Sequence, residues 1–110
     1  MQHIMRLNNG PFERMKSGEK KIELRLFDEK RQRLQLNDII RFINVENDEF
    51  IDVRIKGLLR YNTFEELFAD VDCKLGGRDS LEEILESIGE IYAEDEIKKY
   101  GILGISVELI

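Results

Sequence analysis

Lys20, Glu23 and Arg25 fall within six residues, and they combine three chemistries that a polar ligand site uses. A lysine ammonium is a mobile point charge. An arginine guanidinium is a planar fork that grips a phosphate or stacks on a base, and a carboxylate accepts exocyclic amino protons. Glu23 and Arg25 alternate with Ile22, Leu24 and Leu26, so a strand of period two sends the charged pair to one face and the aliphatic set to a core on the other. Lys20 has the wrong parity for that face unless it lies in the bend before the strand; otherwise its neighbour Lys21 takes its place. An antiparallel strand with one solvated face accounts for the same alternation without any ligand.

The bend is set by Gly18, which permits the positive φ that ends the short segment Pro11 to Ser17. That segment reads as a helix of one or two turns opened by Pro11, with Phe12 and Met15 on its inner face. Residues 3–7 read as a first strand, 21–27 as the charged strand, and Asp28 to Arg33 as a charged loop or short turn, expected to be mobile. Ile39 to Val45 and Phe50 to Leu59 are β-branched apolar runs joined by Glu46-Asn47-Asp48-Glu49, a hairpin connection, and Gly57 predicts a bulge or a close backbone approach. Beyond Tyr61, Thr63 with Glu66 and Ser80 with Glu83 form capping boxes for helices over Phe64 to Val71 and Leu81 to Tyr92. Gly76-Gly77 lies between them and lacks the Lys-Ser/Thr ending of a P-loop. Gly101 to Leu109 returns as a strand. The expected core comprises Ile22, Leu24, Ile39, Phe42, Val53, Ile55, Leu81, Ile84, Leu85, Ile88, Ile102 and Ile105.

Composition narrows the function classes. The 110 residues are 42% apolar and 36% charged, which suits one soluble domain over residues 1–110. No apolar run approaches the roughly 18 residues of a membrane helix and no signal-peptide region opens the chain, so a cytoplasmic location is expected. Cys73 and His3 are the single members of their types; they predict no disulfide, no metal site and no cofactor. The net charge of −6 divides unevenly, with 13 Lys/Arg against 10 Asp/Glu up to residue 60 and 4 against 13 after it. Any attraction for phosphates must therefore come from the first half, and a pocket for one nucleotide or a short strand suits this balance better than extended wrapping. Of the three tyrosines at element boundaries, Tyr100 is the favoured stacking residue because it immediately precedes the closing strand.

Gly18, Lys20, Glu23 and Arg25 reproduce the G-x-K-x-x-E-x-R signature of the ASCH domain, a family of small β-barrels related to the PUA RNA-binding domains. Leu36 to Phe42 resembles that family's turn into its next strand, with Asn37 where relatives often carry glycine, and Tyr100 to Ile105 resembles its closing strand. The resemblance implies an α+β fold: a PUA-like open barrel, mixed but mostly antiparallel, with helices inserted before the last strand. It also implies a charged cleft beside the barrel that binds RNA or a nucleoside-like molecule through Lys20, Lys21, Glu23 and Arg25, with Tyr100 at its edge. One branch of the family hydrolyses N4-acetylcytidine with the signature lysine, a threonine at the position of Glu23 and a glutamate from the helical region. Here the threonine is Glu23 and the helical glutamate aligns near Gly77. Lys20 and Glu23 are thus the catalytic candidates if the chain is an amidohydrolase, and binding is the favoured expectation. A third possibility is a protein-interaction module that uses the acidic helical half.

Overall fold

The computed structural model describes all 110 residues. Five strands, β1 (Gln2–Leu7), β2 (Ile22–Leu26), β3 (Ile39–Asn44), β4 (Phe50–Tyr61) and β5 (Ile102–Leu109), form one curled sheet in the order β1-β3-β4-β5-β2. β1 runs parallel to β3, and every other pairing is antiparallel. Helix α1 (Asn9–Lys16) links β1 to β2, while α2 (Phe64–Asp70), α3 (Leu81–Gly89) and α4 (Glu94–Tyr100) lie between β4 and β5. This is an α+β half-barrel with three helices inserted before its last strand.

The sheet is covered on both sides. Phe42, Ile40, Val53, Ile55, Leu103 and Ile105 point into the barrel, where Phe12 and Met15 of α1 close its mouth. On the outer side Phe64 and Leu67 of α2 and Ile84 and Ile88 of α3 pack on Ile102. β5 therefore has Ile102, Leu103, Gly104 and Ile105 all buried in succession. At Gly104 a Cβ would stand 3.1 Å from Leu67 Cδ2 and 3.3 Å from Ile22 Cγ2, so glycine lets α2 approach the sheet. Of the expected core, Leu24, Ile39, Leu81 and Leu85 are half-buried and the rest are buried.

The turn chemistry acts where the local residues indicated. Gly18 has φ 90° and Asn37 φ 72°, and the register shifts between Ile55 and Gly57 as a β-bulge. That shift keeps Leu58, paired with Ile105, on the inner face with Ile55, while Leu59 and Tyr61 join the outer cluster. Thr63 Oγ1 accepts from the Glu66 amide at 3.1 Å and Ser80 Oγ from the Glu83 amide at 3.2 Å. The segment read as a charged loop or short turn contains a short 3₁₀ turn, Arg31–Arg33, and the Arg31–Asp28 ion pair at 2.9 Å ties it down.

Helical boundaries differ from the reading of the residues, beginning with α1, which starts at Asn9, two residues before Pro11. α3 ends at Gly89, three residues short of Tyr92, and α4 follows as a separate helix. α4 buries none of its residues, so its apolar period is weak, yet Glu94, Asp95 and Glu96 in its first turn and Lys98 and Lys99 in its last complement the helix dipole. No helix is long and apolar enough to cross a membrane. Because Ile88 anchors α3 with only 6% exposure, Ile88→Ala should lower the unfolding free energy by about 2–5 kcal/mol. A lower urea midpoint at unchanged slope would verify this, and a loss under about 0.5 kcal/mol would refute the assigned helix face.

Candidate functional site

Strand pairing decides which way the signature residues face. Glu23 is paired with Ile105 and Arg25 with Leu103, and antiparallel partners share a face. The charged side chains therefore turn toward the barrel interior, at the opening between the edge strands β1 and β2. Ile22, Leu24 and Leu26 turn outward beneath the inserted helices. The charged face is not the solvated one: Glu23 is 5% exposed.

Lys20 lies in the bend before β2, where two backbone segments hold it. Its amide donates to the Arg14 carbonyl at the end of α1, 2.9 Å away, and the next amide, of Lys21, donates to Leu75 O at 2.8 Å. The 3₁₀ turn Cys73–Gly76 ends at Gly77 with φ 88°, and this presents the Gly76 carbonyl to Lys20 Nζ at 3.0 Å. A Cβ on Gly77 would sit 3.2 Å from Lys20 Cδ, and one on Gly76 would sit 2.9 Å from Phe68 Cζ. The Gly76-Gly77 pair is thus the seat of the buried lysine.

Glu23 lies between two cations. Lys20 Nζ is 3.4 Å from one of its carboxylate oxygens, and Arg25 Nε and Nη2 both reach the other at 2.7 Å. Arg25 Nη2 also donates to the Arg6 carbonyl at 2.9 Å, so this side chain bridges β2 to β1 across the gap in the barrel. Burial alone would raise the Glu23 pKa, but Arg25 and then Lys20 hold it below the usual carboxylate range. Burial lowers the Lys20 pKa, with Glu23 opposing it; burial also acts to lower the Arg25 pKa, but Glu23, together with Tyr92 and Asp28, leaves it raised. The two cations retain free donors. Lys20 Nζ makes one hydrogen bond, to Gly76 O, and one ion pair, to Glu23, against a capacity of three donated bonds, and the hydrogen bonds of Arg25 run through Nε and Nη2, not Nη1.

These groups line a cavity of about 590 Å3, within the roughly 300–1,000 Å3 range of small-molecule sites. Its walls include Pro11, Ile84, Ile88 and Ile91, and Tyr92 stands beside Arg25. Lys21 is exposed and outside this lining. Tyr100 lies in a separate depression with Arg60, Phe27 and Lys99, because α4 carries it to the far end of the inserted helices. The tyrosine at the cavity is Tyr92. Arg14 and Arg78 also line it, and neither stood out in the sequence. Arg14 shares α1 with the inward-facing Phe12 and Met15, and Arg78 lies in the half whose net charge is negative. No group of His, Cys, Asp and Glu side chains is arranged to hold a metal ion.

The half-barrel with its inserted helices has the fold of an ASCH-type domain. The ASCH domain model matches residues 5–110, and the chain belongs to this family. Among solved structures, hypothetical protein PH0355 is 36% identical with a TM-score of 0.88, each chain covered over its full length. Protein PF0455 from Pyrococcus furiosus is 35% identical with a TM-score of 0.79, covering 100% of this chain and 98% of that one. An ASCH domain from Lactobacillus crispatus shares the fold at 16% identity and a TM-score of 0.70, over 98% of this chain and 79% of its own. A comparison with curated proteins finds no match.

Because Glu23 neutralises the buried Lys20 and the half-buried Arg25, Glu23→Ala should destabilise the fold by about 3–5 kcal/mol, measured by urea denaturation. The pH dependence has a definite sign. With the folded-state pKa of Glu23 lowered, its contribution is complete above the ordinary carboxylate pKa and is lost as pH falls through the folded value. The melting temperature should therefore fall on acidification below about pH 4.3, and Glu23→Gln should flatten that acid limb. An acid limb identical in the variant and the parent would refute the assignment.

Proposed function

We propose that this domain binds RNA or a nucleoside-like molecule by taking a base into the cavity at the β1–β2 opening. The observation that carries this reading is the free donor capacity of Lys20 and Arg25 at the floor of a cavity with apolar and aromatic walls. Donors without acceptors suit a base presenting carbonyl or ring-nitrogen acceptors, and Tyr92 offers a face on which the ring can stack. Glu23 serves this site as the orienting anion, since each of its oxygens already faces a cation.

A hydrolytic reading has one feature in its favour, the depressed pKa of Lys20, which suits a lysine acting on a substrate carbonyl. Against it, the lysine is paired with Glu23, and Gly77 stands against Lys20 near the position where the amidohydrolase branch carries a glutamate. Binding is therefore the conclusion.

The test is a thermal-shift and calorimetric titration of nucleosides, N4-acetylcytidine and short RNAs, because a ligand of the native state raises its melting temperature. Tyr92→Leu keeps most of the packing and should weaken binding by about 1–3 kcal/mol through lost stacking. Turnover of N4-acetylcytidine that vanishes in Lys20→Ala would replace this reading with the hydrolytic one. If no nucleoside or RNA binds in low salt, the cavity reading falls and the acidic helical half becomes the candidate interface for a basic protein partner.

A further inference from the structure

Building on the assignment of a base to this cavity, we propose that Arg14 and Arg78 form a phosphate subsite within it, so that the ligand is a nucleotide unit rather than a bare nucleoside. Both arginines line the cavity that holds Lys20 and Arg25. Arg25, Arg31 and Arg41 each hold a carboxylate, whereas the side chains of Arg14 and Arg78 make no ion pair or hydrogen bond. Arg14 Nε is enclosed without any partner. Its guanidinium also lies over Gly10, where a Cβ would stand 3.4 Å from Nη2.

Enclosure and the facing charge of Arg78 both lower the Arg14 pKa, with Glu19 giving a smaller opposite effect. Two guanidinium groups on the lining of one cavity, neither holding a carboxylate, form an unfavourable arrangement that a bound anion relieves. The geometry favours a phosphate. Arginine forks match its oxygens in bidentate fashion, and a phosphate monoester carries nearly two negative charges at neutral pH. The first turn of α1 adds to this, because Asn8 and Gly10 line the same cavity and no acidic side chain occupies that turn. Its N–H groups and dipole favour an anion there. Glu90 also lines the cavity, and its carboxylate disfavours an anion beside it.

The shared chemistry is a phosphate oxygen cluster, available from a terminal monoester or from the diester of a strand. The experiment follows the arginine Nε–H signals of the full-length protein by NMR at constant ionic strength. The probes are inorganic phosphate, the four nucleosides, their 3′- and 5′-monophosphates and a dinucleoside monophosphate. Monophosphates should bind about tenfold or more tightly than their nucleosides and should move the Arg14 signal. Arg78→Ala should remove most of that advantage, lowering monophosphate affinity far more than nucleoside affinity, while Arg78→Lys, which keeps charge but not the fork, should retain part of it and controls for misfolding. A dinucleoside monophosphate matching the monophosphates assigns the subsite to a strand phosphate, and a preference for monophosphates assigns it to a terminal one.

Nucleosides and monophosphates binding equally in the parent protein would overturn the subsite and leave the base cavity standing. Phosphate and monophosphates binding through Arg14 and Arg78, with no nucleoside bound, would keep the subsite and remove the base reading. Silence from every probe would overturn both, and an undiminished monophosphate advantage in Arg78→Ala would overturn the subsite alone.

Discussion

The physical constraint on which the site depends is the burial of one carboxylate between two cations at the seam of an unclosed barrel. Glu23 is removed from water, and an isolated carboxylate there would take up a proton or unfold its surroundings. Arg25 and Lys20 keep it ionised, and each cation is held by a backbone carbonyl as well, Arg6 O for one and Gly76 O for the other. Those carbonyls come from β1 and from the turn after α2. The ion cluster thus joins three separate parts of the chain. Sheet edges that lack a strand partner are normally a liability, and here the Arg25 side chain crosses the gap between them.

The same arrangement explains how a site forms without a mobile element. The charges are committed to one another in a fixed geometry, and Lys20 and Arg25 keep further donor capacity at the cavity lining. Preorganised donors of this kind need little reordering when an acceptor arrives. The inserted helices complete the enclosure, since α3 contributes apolar wall and the chain after it returns Tyr92 next to Arg25. Half of the enclosure is therefore basic barrel edge and half is helical insertion. The acidic character of the second half lies mainly on exposed residues such as Glu82, Glu83 and Glu86, away from the cavity floor.

Placement of β5 at the interface of the two cores links stability to this site. Its inner residues Leu103 and Ile105 pair with Arg25 and Glu23, and its outer Ile102 supports α2 and α3. A strand buried on both faces shows a nearly continuous apolar run instead of alternation, and Ile102-Leu103-Gly104-Ile105 has that form. Changes in the helical cluster act through β5 on the strand that carries the charged pair.

Local signals determined much of the architecture. The capping residues Thr63 and Ser80, the positive-φ positions Gly18 and Asn37, the bulge before Gly57 and the alternation along β2 each depend on a few adjacent residues, so they were legible before any contact was known. The motif Gly18, Lys20, Glu23 and Arg25 pointed to the family on the same local basis. Tertiary structure alone decided which face of β2 looks into the barrel, because alternation defines two faces without naming the buried one, and here both are covered. It also decided that Tyr92, not Tyr100, stands at the cavity. That outcome depends on where α3 stops and on the separate helix α4, whose weak apolar period left little trace in the residues. The convergence of Arg14 and Arg78, 64 positions apart in sequence, follows from α1 and the Gly76-Gly77 turn packing on either side of Lys20, and no local pattern encodes a long-range meeting of that kind.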